Sequence, residues 1–341
     1  VNDGDRDSAI ARSEVAVFGA GASMVYRLAD AVTDAEFSKA LDRLVYVSAD
    51  SAELTLFDID TGEAQSIDLP LPGFRVGLSP DGTHAAVSHQ GLVSLVSLNA
   101  LAVVDSQAMV VDWGDIVLDH ANRAHVTPRR DQWVNLVSVD FAANTLYDSG
   151  RARAGSQKRV HPTESWIYAA DRGLSPSDFE KYDVAAMPGV RIGDSPYHGD
   201  YRIDGNLWIS ELGDRLLTAR GNAFWSRTDP AVDMTYSGAL SDDLFVASAD
   251  HSAERNEWVV ASANAFLDPD LPDRLLFYSG SFLTRLSDEA FAPIPTVIGD
   301  APTTALNVFF DDGGSKVILL LESDGAGVGA NDKAVQIREL P

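Results

Sequence analysis

The stretch VGLSPDGTHAAVSHQG, residues 76–91, decides how this chain is read. A short apolar run ends in Ser79-Pro80-Asp81-Gly82, with Pro second and Gly last, as a type I turn prefers. A second run rich in Ala and Val follows, so the stretch is a β-hairpin. The same grammar returns six times, as FSKALDRLVYVSAD (37–50), IVLDHANRAHVTPRRD (116–131), RVHPTESWIYAADRG (159–173), WISELGDRLLTARGN (208–222), VASADHSAERNEWVVASAN (246–264) and VFFDDGGSKVILLLESDG (308–325). The turns centre near residues 41, 81, 121, 163, 213, 254 and 313, at steps of roughly 40 to 59 residues.

A third strand follows each hairpin, as in LTLFDIDTGE (54–63), LVSLVSLNAL (92–101), VNLVSVDFAAN (134–144), FEKYDVAAM (179–187) and RLLFYSGS (274–281). A more variable fourth comes next, such as TLYDSG (145–150) or MTYSGAL (234–240). Four strands repeated seven times predict an all-β, seven-bladed β-propeller of four-stranded antiparallel blades. The blades start near 35, 74, 115, 157, 205, 243 and 304. The last copy supplies KAVQIREL (333–340) as its third strand and then the chain ends, so the N-terminal MVYRLAD (24–30) is expected to complete the blade and close the ring. On this reading 15–341 is a single domain and 1–14 an acidic linker. The longer steps place insertions at 188–206, 264–273 and 283–304.

The Ser79-Pro80-Asp81-Gly82 turn and Phe57-Asp58-Ile59-Asp60-Thr61-Gly62-Glu63 resemble the WD40/YVTN-like propeller superfamily, over nearly the whole chain from about residue 24. The Trp-Asp dipeptide of the WD40 type is missing at the expected strand ends. The resemblance implies a ligand site at the central mouth and leaves the function open, because this fold hosts binding platforms and enzymes alike.

Composition narrows the choices. The formal charge of −25 disfavours nucleic acid, and no run of 18 or more apolar residues suggests membrane insertion. The absence of Cys excludes disulfides and thiolate chemistry. Val15–Ser23 (VAVFGAGAS) imitates a dinucleotide-binding turn, but Met24 stands where the third Gly belongs, so the run reads as a Gly-rich link before the closing strand. Asp3, Asp5 and Asp7 alternate around Gly4 like the tail of an Asp-rich calcium repeat, which suggests a piece of a larger multidomain protein. Asp324 and Asp332, in a Gly-rich loop, are a second candidate for Ca²⁺; a disordered end and a solvated hairpin are the alternatives. No other cofactor is expected. His84, His120, His161 and His251 fall at first turns and read as turn or surface residues, and the six Trp read mostly as packing between blades.

Charges sort by face. Turns after first and third strands carry Asp42, Asp81, Asp119, Glu164, Asp214, Glu254, Asp311 and Asp312, while the opposite face collects Arg75, His89, Arg129, Arg130, Arg159, Arg172, His198 and Arg220. This second face is the expected mouth. Arginine pairs bidentately with carboxylate or sulfate, so the mouth could take an anionic ligand; alternatively these arginines pair with Asp50, Asp131, Asp171 and Asp324 on the same loops. The leading expectation is a non-catalytic binding module for a glycan or a protein, secreted or at the cell surface, in a bacterial-type extracellular or periplasmic setting. The second is a polysaccharide lyase, with Arg129 or Arg220 neutralising a uronate and His89 or His198 with Tyr197 or Tyr201 moving protons.

Overall fold

The computed structural model describes residues 15–18, 23–28, 31–109, 113–263, 272–296, 299–323 and 333–341. They form seven antiparallel sheets and one small hairpin, with no helix. Blade 1 is Val32–Ser38, Arg43–Ser48, Glu53–Asp58 and Ala64–Asp68. Blades 2 to 6 repeat the four-strand order, with innermost strands Arg75–Leu78, Trp113–Leu118, Gln157–Val160, Leu207–Ile209 and Val246–Ser252. Blade 7 contributes Thr303–Phe310, Lys316–Ser323 and Lys333–Glu339, and is then completed by the N-terminal strand Ser23–Leu28. The register of that closure runs from Ser23 opposite Arg338 to Leu28 opposite Lys333. The chain is a seven-bladed β-propeller closed by its own N-terminal strand.

Two local readings change. Val15–Phe18 is a strand, paired outside Ser23–Leu28 as the fifth of blade 7; its β-branched and aromatic residues outweigh the glycines that suggested a link. The stretches 188–206 and 283–304 are not all insertion, because Val190–Asp194 is the outer strand of blade 4 and Arg285–Glu289 that of blade 6, the latter followed by the hairpin Ile294–Thr296 and Gly299–Ala301.

Alternating side chains of each sheet point to opposite faces, so each blade buries apolar residues against both neighbours. Seven apolar clusters accordingly fill the seven gaps between blades. Burying one Val, Leu or Ile in such a gap is worth about 1.5–3 kcal/mol. At the seam between blades 7 and 1, Tyr26 of the closing strand meets Phe57 edge-on at 5.3 Å, and Phe37 stacks on Phe309 at 6.0 Å. Gly62 makes the seam possible. Its φ is +72°, and an added Cβ would lie 2.2 Å from the Tyr26 ring.

Candidate functional site: the central channel and the arginine rim

The innermost strands leave one backbone edge facing the axis, where N–H groups have no strand partner. Blades 1, 3, 6 and 7 solve this in the same way. Each innermost strand carries a register shift near its start, between Val32 and Asp34, Trp113 and Asp115, Val246 and Ser248, and Ala305 and Asn307. The residue after the shift then bonds the next blade. Asp34 accepts the Val76 N–H at 2.9 Å, Asp115 the Lys158 N–H at 2.7 Å and Ser248 the Val308 N–H at 3.1 Å. Asn307 donates to the Ala35 carbonyl at 3.4 Å, across the ring seam. The polar residues of the inner wall are therefore largely stitches between blades.

Two cavities, of about 240 Å³ and about 480 Å³, share Glu36, Arg159, Trp208, Ser248 and Asn307, so they adjoin one another along the axis. The smaller lies at the starts of the innermost strands and includes Arg75 and Asp115; the larger opens among the first turns and includes Lys39, Asp81, Glu211 and Asp312. Arg75 is committed to the carbonyls of Thr33 (3.0 Å) and Phe74 (3.3 Å), and Arg159 to that of Lys158 (2.6 Å). Lys39 pairs with Glu211 at 3.1 Å and Asp250 at 3.7 Å. Enclosure by protein pushes Asp34 up to about 6 and Glu36 up to about 8, although both side chains keep partial exposure. Lys158 is fully buried beside Asp115 (3.3 Å) and donates to Thr127 (2.9 Å); burial lowers its pKa.

The residues expected at the mouth separate. Arg75 and Arg159 line the smaller cavity. His89 does not: it is fully buried inside blade 2, with Nδ1 at 3.1 Å from the Pro72 carbonyl and Nε2 at 3.0 Å from Ser94 Oγ. As the last residue of its strand it points into the blade, and burial lowers its pKa. Arg220 is paired with Asp243 at 2.8 Å and Asp204 at 3.5 Å, which neutralises it. Arg129, Arg130, Arg172 and His198 lie exposed on outer turns, away from the axis. The groups weighed for lyase chemistry are not assembled. Tyr197 Oη accepts the Tyr236 N–H at 3.0 Å, Tyr201 stacks on Tyr236 at 4.2 Å, and neither bonds to His89 or His198. Asp3, Asp5, Asp7, Asp324 and Asp332 lie outside the described residues, among which no group of His, Asp and Glu is placed to hold a metal ion.

His161 and His251, expected at the surface, are buried edge-on against Trp166 (5.3 Å) and Trp258 (5.0 Å). The sequence also hid a chain across blade 3. Asp119 lies 3.1 Å from His125, which lies 2.8 Å from Ser138 Oγ, itself 2.6 Å from Ser149 Oγ. The order imitates a hydrolase triad, but His125, Ser138 and Ser149 are wholly buried, so no substrate can reach the hydroxyl. It is a structural network.

The turns that bear three of the exposed arginines meet at the seam of blades 3 and 4. Arg153 donates to the carbonyls of Gln132 (2.8 Å), Arg172 (3.2 Å) and Gly173 (3.2 Å), tying the turn that bears Arg129 and Arg130 to the turn that bears Arg172. The Arg151 guanidinium sits 3.9 Å from the ring centre of Trp133, which is 41% exposed and the exception among the tryptophans read as packing. The backbone turns of Arg129, Arg130 and Arg172 thus adjoin the Arg151–Trp133 contact, while the Arg172 side chain packs at Gly205, in a pocket that Asp171 and Asp204 also line. Neither Trp133 nor Arg151 stood among the sequence candidates. Their cross-strand proximity, with Trp133 opposite Arg153, becomes visible only once the register is known.

The fold places the chain among known propellers. The β-propeller domain of Cps50 (Swd1) from Myceliophteria thermophila superposes with a TM-score of 0.63 at 12% identity, covering 91% of this chain and 97% of that one. A chain of the mitotic checkpoint complex gives 0.63 at 13% identity, over 100% and 97%. Hydrazine synthase from Kuenenia stuttgartiensis gives 0.59 at 11%, over 89% and 95%. At these identities the likeness is one of fold. No protein-family model matches the chain, and no curated protein does.

Proposed function

We propose that this propeller is a secreted or cell-surface binding module without chemistry of its own, and that it holds an anionic glycan on the rim between blades 3 and 4 rather than at the central mouth. The observation that carries this is the pair of guanidiniums set beside exposed Trp133, Arg151 at 3.9 Å and Arg153 at 5.5 Å, on the seam where the turns bearing Arg129, Arg130 and Arg172 are tied together. A uronate or sulfate pairs with guanidinium forks, and a sugar face stacks on an indole. The channel suits an anion less well, because its arginines are committed to carbonyls and carboxylates share its walls.

The test is a glycan array of uronate and sulfated chains, with calcium and with chelator, at two salt concentrations. Salt-sensitive binding that is lost in Arg151→Ala and Arg172→Ala but kept in Arg75→Ala supports the rim. Binding abolished by chelator would assign the contact to calcium instead. A blank array would overturn the glycan reading, and an acidic protein partner would then be sought for the same rim.

A further inference from the structure

The stitching rule singles out one inner carboxylate. Asp34, Asp115 and Asp250 each accept a backbone N–H of the following blade, Asp250 that of Phe310 at 2.8 Å. Glu36 stands two residues beyond the register shift of blade 1, the place Asp250 holds in blade 6. Unlike Asp250, it makes no hydrogen bond and no ion pair among the described residues. Its side chain is one methylene longer than aspartate and lies where the two cavities meet. The wider cavity beside it includes Phe37, Phe309 and Trp208 in its walls, with Asp312 toward its opening and Glu211 there paired with Lys39 at 3.1 Å. An unpartnered carboxylate at the waist, aromatic walls and further carboxylates at the entrance suit a chain bearing separated positive charges. An ammonium would sit on the carboxylate, methylenes would lie along the rings, and a second ammonium would reach the entrance.

We infer that the wide end of the channel binds a linear organic polycation, an aliphatic polyamine, with Glu36 as its recognition carboxylate. The groups facing Glu36 are Asp34 on its own strand and Lys39 on the turn that follows it, with Arg75, Asp115, Arg159 and Asp250 from other blades. The three carboxylates already serve backbone N–H groups, and Arg159 is the cation nearest in effect. With its pKa pushed up to about 8 in the free protein, Glu36 is mostly protonated at neutral pH. Binding a cation therefore releases a proton, and affinity rises from about pH 7 to about pH 9.

Calorimetric titration of spermidine into the full chain, at about 0.15 M salt to screen attraction to the acidic surface, tests this. One site is expected, with 1,4-butanediol giving no signal and proton release detected in buffers of different ionisation enthalpy. Glu36→Gln should weaken binding about tenfold or more. Arg159→Gln, which removes the competing cation, should tighten it several-fold, and this reads the same site if the first variant does not fold. Absence of saturable binding, affinity unchanged in Glu36→Gln, affinity unchanged or weaker in Arg159→Gln, or equal competition by calcium would each overturn the inference.

Discussion

Glu36→Gln also tests the energetics of the channel without any ligand. Burial raises the Glu36 carboxyl from 4.5 to about 8. Its folded-state pKa thus lies above its unfolded value, so between those two limits the folded state binds the extra proton. Stability then falls as pH rises through that window and levels off above it. At about 1.4 kcal/mol per pKa unit the full cost of ionising Glu36 is about 5 kcal/mol; the partial exposure of the side chain screens part of it, leaving about 2–5 kcal/mol. Glutamine keeps the shape and never ionises. The difference in unfolding free energy between the variant and the wild type should therefore be near its minimum at about pH 4.5 and grow by about 2–5 kcal/mol in favour of the variant by about pH 9. Asp34 and Asp171, also raised by burial, to about 6 and about 7, change stability in the same direction in both proteins and cancel in the difference. Urea denaturation at three pH values measures it. Guanidinium is unsuitable, being a cation that would enter the same channel. A difference that stays constant with pH, or that grows in favour of the wild type, would mean that ionised Glu36 has a partner, and the argument would fail.

Three further outcomes follow from contacts on the page. Lys158→Met strips Asp115 of its buried cation and should cost about 3–5 kcal/mol in urea unfolding, most of it recovered when Asp115→Asn is added. Gly62→Ala should cost about 1–3 kcal/mol and make the N-terminal strand the first released by limited proteolysis, whereas Gly155→Ala, with the same φ of +72° but open space around it, should cost less. His125→Phe should lose about 1–2 kcal/mol by removing one partner each from Asp119, which keeps Arg123, and Ser138, which keeps Ser149, with glycan and spermidine binding unchanged. Since burial lowers the His125 pKa below 6.5, the wild type loses part of its stability as pH falls through that value, and the Phe variant lacks this loss.

The ring was legible because the features that make it are local. A Pro-Asp-Gly turn between two apolar runs specifies a hairpin wherever it occurs, and a last repeat one strand short demands a strand from elsewhere. Tyr26 opposite Val335 realises that demand. The site was legible only in part, because turn positions locate the backbone and not the direction of a side chain. Arg75 and Arg159 were found because each lies on an innermost strand close to a blade link. His89 ends a second strand and turns inward. Arg220 meets Asp243, 23 residues on, through packing that no local rule encodes. The polar alternation of Asp34 and Glu36 within Val32–Ser38 was a readable signal. The hairpin repeat that defines the blades begins at Phe37 and so does not include it.

The stitching pattern changes what a charged residue on the inner wall of a propeller means. A sheet that stands radially cannot satisfy its innermost edge from within, so some polar side chain must take each exposed N–H, or water must. Here Asp34, Asp115, Ser248 and Asp250 do so, and their presence follows from the architecture whatever the protein binds. An acidic channel is then no sign of function in itself. The informative residue is the one that carries a charge without a bond to serve, because the fold gains nothing from it and ionising it costs stability. On the inner wall that residue is Glu36. On the outer rim the same reasoning selects Arg151 over Arg153: Arg153 is committed to three carbonyls that hold two turns together, whereas Arg151 lies across an exposed indole. Arg153→Ala should therefore lower stability and binding together, while Arg151→Ala should lower binding with stability within about 0.5 kcal/mol of wild type. Equal losses of stability in the two variants would show that the Arg151–Trp133 contact belongs to the fold, and the rim would then have no side chain set aside for a ligand.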